Sequence, residues 1–243
     1  MEVKDLQIPG NGYTLAATVV IPSQIIKQQP AVIFYHGMVS QSKPRNIKRA
    51  KKLAEKGVLC LCFDFRGCGE SEGKLGEISL ADWFSDALLA FDFLASYPGI
   101  DPRRIGINGK SFGGYMGALV SEKRIAKSMV LQAPAVYPDS LLDQKYMLYK
   151  TSGNAEKLKY RNSKDALNNM AIRAIEQYKN PLLIVGSELD TVCPKHTVFG
   201  YYHYAGSMNK KIMWIKNADH PLTKDKWNNE YIHLLSDWFE KTL

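Results

Sequence analysis

Four cysteines in 243 residues are too few for a disulfide framework in a chain of this size. Cys60, Cys62, Cys68 and Cys193 include no C-x-x-C pair and no Cys/His set of the kind that holds zinc, so no metal site is expected. Cys60 and Cys62 stand two apart in an apolar run and share one face, which fits buried small hydrophobes in a reducing cytoplasm. Long apolar runs are missing too: nothing approaches the ~20 residues that cross a bilayer. The opening residues MEVKDLQIPGNG carry no apolar core of a secretory signal, so a cytoplasmic protein is expected. Internal repeats and low-complexity tracts are also lacking, which excludes a repeat array.

Acidic residues are in deficit, 24 against 32 Lys and Arg, for a formal net charge of +8. Seven of the basic residues fall between Lys43 and Lys56, beside the single acid Glu55. Ile47, Ala50, Leu53 and Ala54 recur among them at helical spacing, so the basic residues are expected on the outside of an amphipathic helix. No RNA- or DNA-binding signature accompanies the charge, and neither a nucleic-acid partner nor a membrane span is expected.

What the chain does have is alternation. Val3–Ile8 and Leu15–Ile21, joined by PGNG, read as a hairpin. AVIFYH (31–36) and GVLCLCFDF (57–65) are continuous apolar runs, as in strands covered on both faces. Ser79–Ala95 reads as a helix opened by Ser79 or Asp82. Arg104–Asn108, Lys127–Gln132, 181–187 and Lys211–Lys216 read as strands. Phe112–Lys123, Pro194–Tyr204 and a stretch from about Lys224 to Glu240 read as helices. This pattern predicts an α/β fold with a mainly parallel, doubly wound sheet, begun by an antiparallel hairpin. Between the strand ending near Ala133 and the one opening at Pro181 lie helical patterns at Leu141–Tyr149 and Asp165–Tyr178. With no composition break to mark a second domain, residues 137–178 are expected to form a small helical cap on a single domain spanning 1–243.

Two stretches fit G-x-S-x-G: GESEG (69–73) and GKSFG (109–113). A nucleophilic serine on such a turn needs a strand before it, a helix after it and small residues around it. GKSFG has RRIGIN before it and FGGYMGALVSEKR after it; GESEG has neither, and both its flanks are acidic. Ser111 is therefore the candidate and Ser71 a loop residue. A phosphate-binding reading of Gly109-Lys110-Ser111 fails, because its first glycine would fall on Arg104 within a strand.

A serine needs a base, and the base an orienting acid. His36 ends a strand beside Gly37 and is better placed to shape a turn, while His196, His203 and His233 fall in helices. His220, in the loop KNADHPL after a strand, stands where parallel sheets place active groups. Asp190, in SELDTVCP after another strand, is the candidate acid, with Asp139 in reserve. The order Ser111, Asp190, His220 is that of one known architecture.

The chain resembles the α/β-hydrolases over nearly its whole length, within their serine esterase and dienelactone-hydrolase-like subgroup. YHGMV (35–39) resembles their His-Gly oxyanion segment, DFRGCGESEG (64–73) their D-x-R-G-x-G-x-S loop, and SELDTVCP and ADH their acid and histidine loops. The resemblance implies Ser111 as nucleophile, His220 as general base and then acid, and Asp190 as its orienter. It also implies an oxyanion hole made by the backbone N–H groups of Met38 and Phe112, no cofactor, and a small-molecule ester as substrate. Dienelactone hydrolases proper carry cysteine where this chain has Ser111. The cap would supply Tyr146, Met147, Tyr149 and Tyr160 to the substrate pocket. Lys145, Lys150, Lys157, Lys159 and Arg161 would favour an anionic substrate, although Asp143 and Glu156 are interspersed. The alternatives are a small serine peptidase, whose relatives usually bring a further domain, and a non-catalytic binding protein of the same fold. A dehalogenase or epoxide hydrolase of this fold would need Asp at position 111.

Overall fold

The computed structural model describes residues 1–38, 43–146 and 154–243. Among these, eight strands form one sheet: β1 (Glu2–Pro9), β2 (Thr14–Ile21), β3 (Gln29–Tyr35), β4 (Leu59–Phe63), β5 (Ile100–Lys110), β6 (Ser128–Gln132), β7 (Leu182–Ser187) and β8 (Lys210–Ile215). Their order is β1-β2-β4-β3-β5-β6-β7-β8. β1 and β2 form the expected antiparallel hairpin and β2 meets β4 antiparallel. Every pair from β4 through β8 is parallel.

The unbroken apolar runs follow from helices covering both faces. In β3, Ala31, Ile33 and Tyr35 enter one core cluster while Val32 and Phe34 enter the other. In β4, Leu59, Leu61 and Phe63 face the first cluster, and Cys60 and Cys62 the second. Each fully buried Ile, Val or Phe contributes about 1.5–3 kcal/mol. All four cysteines are buried thiols outside any disulfide, and burial pushes the Cys62 thiol far above its usual range.

The helices are α1 (Lys43–Ala54), α2 (Leu80–Ala95), α3 (Phe112–Lys123), α4 (Asn154–Arg161), α5 (Met170–Gln177), α6 (Lys195–Tyr204) and α7 (Asp225–Thr242). Helices α2, α3, α5 and α6 give the first cluster its apolar faces, and α1 and α7 give the second theirs. Both cap candidates of α2 take part: Ser79 Oγ accepts the Asp82 N–H at 3.0 Å, and the Asp82 carboxylate accepts the Ser79 N–H at 2.9 Å. Such a reciprocal cap contributes about 1 kcal/mol.

Several elements differ from the sequence expectation. β5 starts at Ile100 rather than Arg104, because Gln29 pairs with Ile100 and Ala31 with Ile105 across a register shift. The extra residues bulge out around Pro102 and hide the early start. In α1, Ala50, Leu53 and Ala54 are buried as expected, but two of the basic residues also turn inward. Arg49 is fully buried over the Tyr231 ring, with Nε donating to Asn228 Oδ1 at 3.0 Å. Lys43 is buried between Glu70 and Asp64. Between β6 and β7, the described part of the Leu141–Tyr149 pattern holds the end of a 3-10 turn (Asp139–Leu141), a bridge from Ser79 to Lys145 and the helical residue Tyr146; its remainder lies outside the described residues. There, α5 starts only at Met170 because Asn169 caps it, accepting the N–H groups of Ala171 and Ile172. Helix α4 was not anticipated; its sequence NAEKLKYR has no apolar stripe.

Candidate active site

Loops leaving the C-terminal ends of β3, β5, β7 and β8 converge on one cavity of about 560 Å³. Its wall includes Gly37 and Met38 after β3, Lys110 and Ser111 at the end of β5, Thr191 and Val192 after β7, and His220 and Pro221 after β8. Tyr137, Tyr146, Lys157, Leu158 and Arg161, from the segment between β6 and β7, complete it.

Ser111 sits on a tight turn with φ 51° and ψ −112°, a conformation that costs a non-glycine residue about 1–3 kcal/mol. Backbone bonds hold it there. Its N–H donates to the Gln132 carbonyl at 2.8 Å, and its own carbonyl accepts the N–H groups of Gly114, Tyr115 and Ala135 at 2.9–3.1 Å. The turn also requires close approach: a Cβ on Gly113 would fall 2.0 Å from the Tyr35 carbonyl oxygen. Overpacking a core side chain typically takes about 1–3 kcal/mol, and a backbone carbonyl has no rotamer by which to move away. Gly113→Ala is thus expected to lower unfolding stability by at least ~3 kcal/mol, read from urea titration. A loss under ~1 kcal/mol would contradict this packing.

The other candidates are brought to the same place. His220 Nδ1 and Asp190 Oδ2 are 2.7 Å apart, with the carboxylate side chain 2% exposed and the imidazole 13%. Asp190 Oδ1 accepts the N–H groups of Val192 and Cys193, both at 2.8 Å, which fixes the carboxylate. Gln132 Nε2 donates to the His220 carbonyl at 3.1 Å, so the residue whose carbonyl holds Ser111 also holds the histidine loop. Ser111 Oγ lies 3.9 Å from Cys193 Sγ. Among the described residues no hydrogen bond joins it to the His220 ring. Nor do the N–H groups of Met38 and Phe112 find an acceptor there; Phe112 is the first residue of α3, whose N-terminal dipole favours negative charge.

The remaining candidates have other work. His36 Nε2 accepts the Phe65 N–H at 3.0 Å, tying the end of β3 to that of β4 as a turn-shaping residue should. His196 Nε2 lies 3.1 Å from the Ser163 carbonyl, while His203 and His233 are exposed. Asp139 accepts the Met170 N–H and pairs with Arg173. Ser71 is buried, accepting the Ala16 N–H at 2.8 Å and donating to the Asp64 carbonyl at 2.5 Å. Its hydroxyl joins β2 to the loop after β4. Ser71→Ala is expected to lower stability by about 2 kcal/mol, the order expected when buried partners go unpaired. It should keep most of the turnover of the folded protein; loss of turnover in a folded variant would reopen the choice of serine.

Of the four expected pocket residues, Tyr146 lines the Ser111 cavity, its ring 5.5 Å from that of Trp83. Tyr160 lines a second cavity of about 210 Å³, which shares Tyr137, Lys157 and Arg161 with the first. Met147 and Tyr149 lie outside the described residues, as does Lys150. Lys157 and Arg161 face the cavity, whereas Lys145 and Lys159 are exposed and not part of its wall. Sequence reasoning missed Cys193 and Lys110 as members of the site. The available signals were Cys193's place three residues after the acid and Lys110's place beside the serine. Among the described residues no group of three or more His, Cys, Asp or Glu could hold a metal ion, and no helix is long and apolar enough to cross a membrane.

A model of the prolyl oligopeptidase family matches residues 45–243, which takes in the serine turn, the acid and the histidine loop. The chain belongs to the prolyl oligopeptidase family. Within known proteins, this family member is 28% identical over 137 residues to the quorum-quenching protein AidA of Acinetobacter baumannii, covering 54% of the chain but only 43% of that protein. It is 22% identical over 234 residues to the mitochondrial palmitoyl-protein thioesterase ABHD10 of Bos taurus, covering 88% of the chain and 74% of that protein. Among solved structures, Est1E from Butyrivibrio proteoclasticus with bound ferulic acid superposes with a TM-score of 0.76 at 19% identity over 98% of each chain. At that identity the likeness establishes the fold, that of the α/β-hydrolases. The expected sheet with its N-terminal hairpin is thus borne out for this prolyl oligopeptidase family chain.

Proposed function

We propose that the chain is a serine hydrolase that cleaves carboxylic esters through an acyl-enzyme, with residues 137–178 as a cap over a single domain. The observation that carries this is the 2.7 Å Asp190–His220 contact on the same cavity as the strained Ser111. In the reaction, Ser111 Oγ attacks the ester carbonyl carbon while His220 takes its proton. Asp190 holds Nδ1–H, which leaves Nε2 as the basic nitrogen and stabilises the imidazolium that forms. The negative charge on the tetrahedral oxygen is met by the N–H groups of Met38 and Phe112, each worth about 3 kcal/mol at the transition state. His220 then protonates the departing alkoxide. Water, deprotonated by the same ring, attacks the acyl-enzyme and releases the acid and Ser111.

The family match supports a second reading, hydrolysis of a small peptide or acyl-peptide by the same residues. Fluorophosphonate labelling with peptide mapping tests what the two share, since the reagent marks a serine activated by its neighbours. A single adduct on the peptide holding Ser111 is expected, and ester and peptide panels then separate the readings. No adduct on folded protein would favour a non-catalytic binding protein.

A further inference from the structure

Lys110 precedes Ser111 in the chain and lines the same cavity, yet is only 8% exposed. Among the described residues its ammonium makes no hydrogen bond and no ion pair. A desolvated charge without a partner is a standing cost, and such groups in a protein are ordinarily paired. The rest of the cavity wall does not supply the partner. Its charged members are Lys157 and Arg161, and among the described residues it includes no carboxylate. Arg161 is already engaged, with Nη1 donating to the Val192 carbonyl at 2.8 Å, and Lys157 is not free either. Of the acids that act on it electrostatically, Asp190 holds His220 Nδ1 with its side chain 2% exposed, and Asp219 is not part of the cavity wall.

We propose that the Lys110 ammonium binds a carboxylate carried by the substrate, so that the ester this site cleaves bears a free carboxylate besides the bond to be cut. The proposal rests on the ester-hydrolase reading and names its substrate class. One unpartnered ammonium matches one negative charge. A phosphate dianion would ask for several free donors, and among the described residues this wall offers a single uncommitted cation. The cations across the cavity add field without adding contacts, drawing an anion in and disfavouring a cationic substrate.

The surroundings of Lys110 give the contact a pH signature. Burial, reinforced by Arg49 and Arg45 of α1, pulls its ammonium down to about 7, against the opposing pull of Asp190 and Asp219. His36 at the end of β3, together with Cys193 and His220, completes the titratable groups around it. Lys110 is cationic below that point and neutral above it. Carboxylate affinity therefore falls as pH rises through neutrality, while affinity for an uncharged analogue has no such dependence on this group.

The test compares isosteric pairs differing only in carboxylate against carboxamide. With the charge on the alcohol side, the pair is 4-acetoxybenzoate and 4-acetoxybenzamide; on the acyl side, it is monomethyl suberate and methyl suberamate. In at least one arm kcat/KM is expected to favour the carboxylate by about ten- to hundredfold, the range of a hydrogen bond to a charged group. That ratio should fall towards one in Lys110→Met and be partly restored in Lys110→Arg. Calorimetric binding of the non-reacting 4-hydroxybenzoate against 4-hydroxybenzamide, and of suberate against suberamide, reads the same preference without turnover. If no ester is hydrolysed but the carboxylates bind selectively through Lys110, the ester reading fails and the anion site stands. If neutral and charged members are hydrolysed and bound alike in both arms, the proposal is overturned and the ester reading stands. A preference that survives Lys110→Met in folded protein also overturns it. Folding of the variants is checked by thermal melting.

Discussion

Ser111→Ala is expected to lower kcat on an uncharged ester by about 10⁴–10⁶-fold, because in the proposed reaction the serine, the imidazole and the acid act as a unit and loss of the nucleophile forfeits all of it. The substitution removes one oxygen from a turn held almost entirely by backbone. The N–H to Gln132 and the three N–H groups donated to the Ser111 carbonyl persist in the variant. Among the described residues its one side-chain polar contact, 3.9 Å to Cys193 Sγ, is long and weak. Stability should therefore stay within about 1 kcal/mol of the native protein, and fluorophosphonate labelling should vanish with turnover. Turnover falling less than tenfold in a folded Ser111→Ala protein would sink the assignment.

Asp190→Asn should be the second largest effect, about 10⁴-fold in kcat at neutral pH. The argument depends on which oxygen does what. Oδ1 accepts the Val192 and Cys193 N–H groups, and an asparagine oxygen can keep both. Its amide nitrogen then falls where Oδ2 stood, 2.7 Å from His220 Nδ1. Two donors cannot face each other, so Nδ1 becomes the acceptor and the ring proton moves to Nε2, leaving no base towards the cavity. The loop stays folded while the ring holds the wrong tautomer. Steady-state kinetics with a melting curve reads this, and kcat above a tenth of native would show that Asp190 does not orient the ring.

These outcomes could be framed from sequence because the serine turn is written locally. It needs a strand, five residues and a helix in succession, and RRIGIN-GKSFG-GYMGALV supplies them without reference to the rest of the chain. The candidate acid and histidine, which the structure brings into contact, were legible through their place after strands and their order. Arg49 was not, because its inward turn depends on Tyr231 and on Asn228, the latter 179 residues away along the chain. Helix α4 escaped because Leu158 and Tyr160 are too few to make a stripe in NAEKLKYR. Lys110 was visible as a letter in the motif. Its isolation among the described residues was not, since lacking a partner is a property of everything folded around it.

Gln132 closes β6 near the middle of the sheet, with its backbone on Ser111 and its side chain on His220. The two residues therefore ride on one anchor, as two fittings bolted to a single bracket keep their spacing when the bracket moves. The opposite wall, contributed by Leu158, Lys157 and Arg161 of α4, hangs on a different stretch of chain. Displacement of α4 would alter the width of the cavity mouth while leaving the serine-to-histidine spacing to the sheet. The tie between the two is Arg161, whose Nη1 donates to the carbonyl of Val192 beside the Asp190 carboxylate. On the proposed reading, sequence change in α4 that spares Arg161 can therefore retune what enters without reworking the groups it meets.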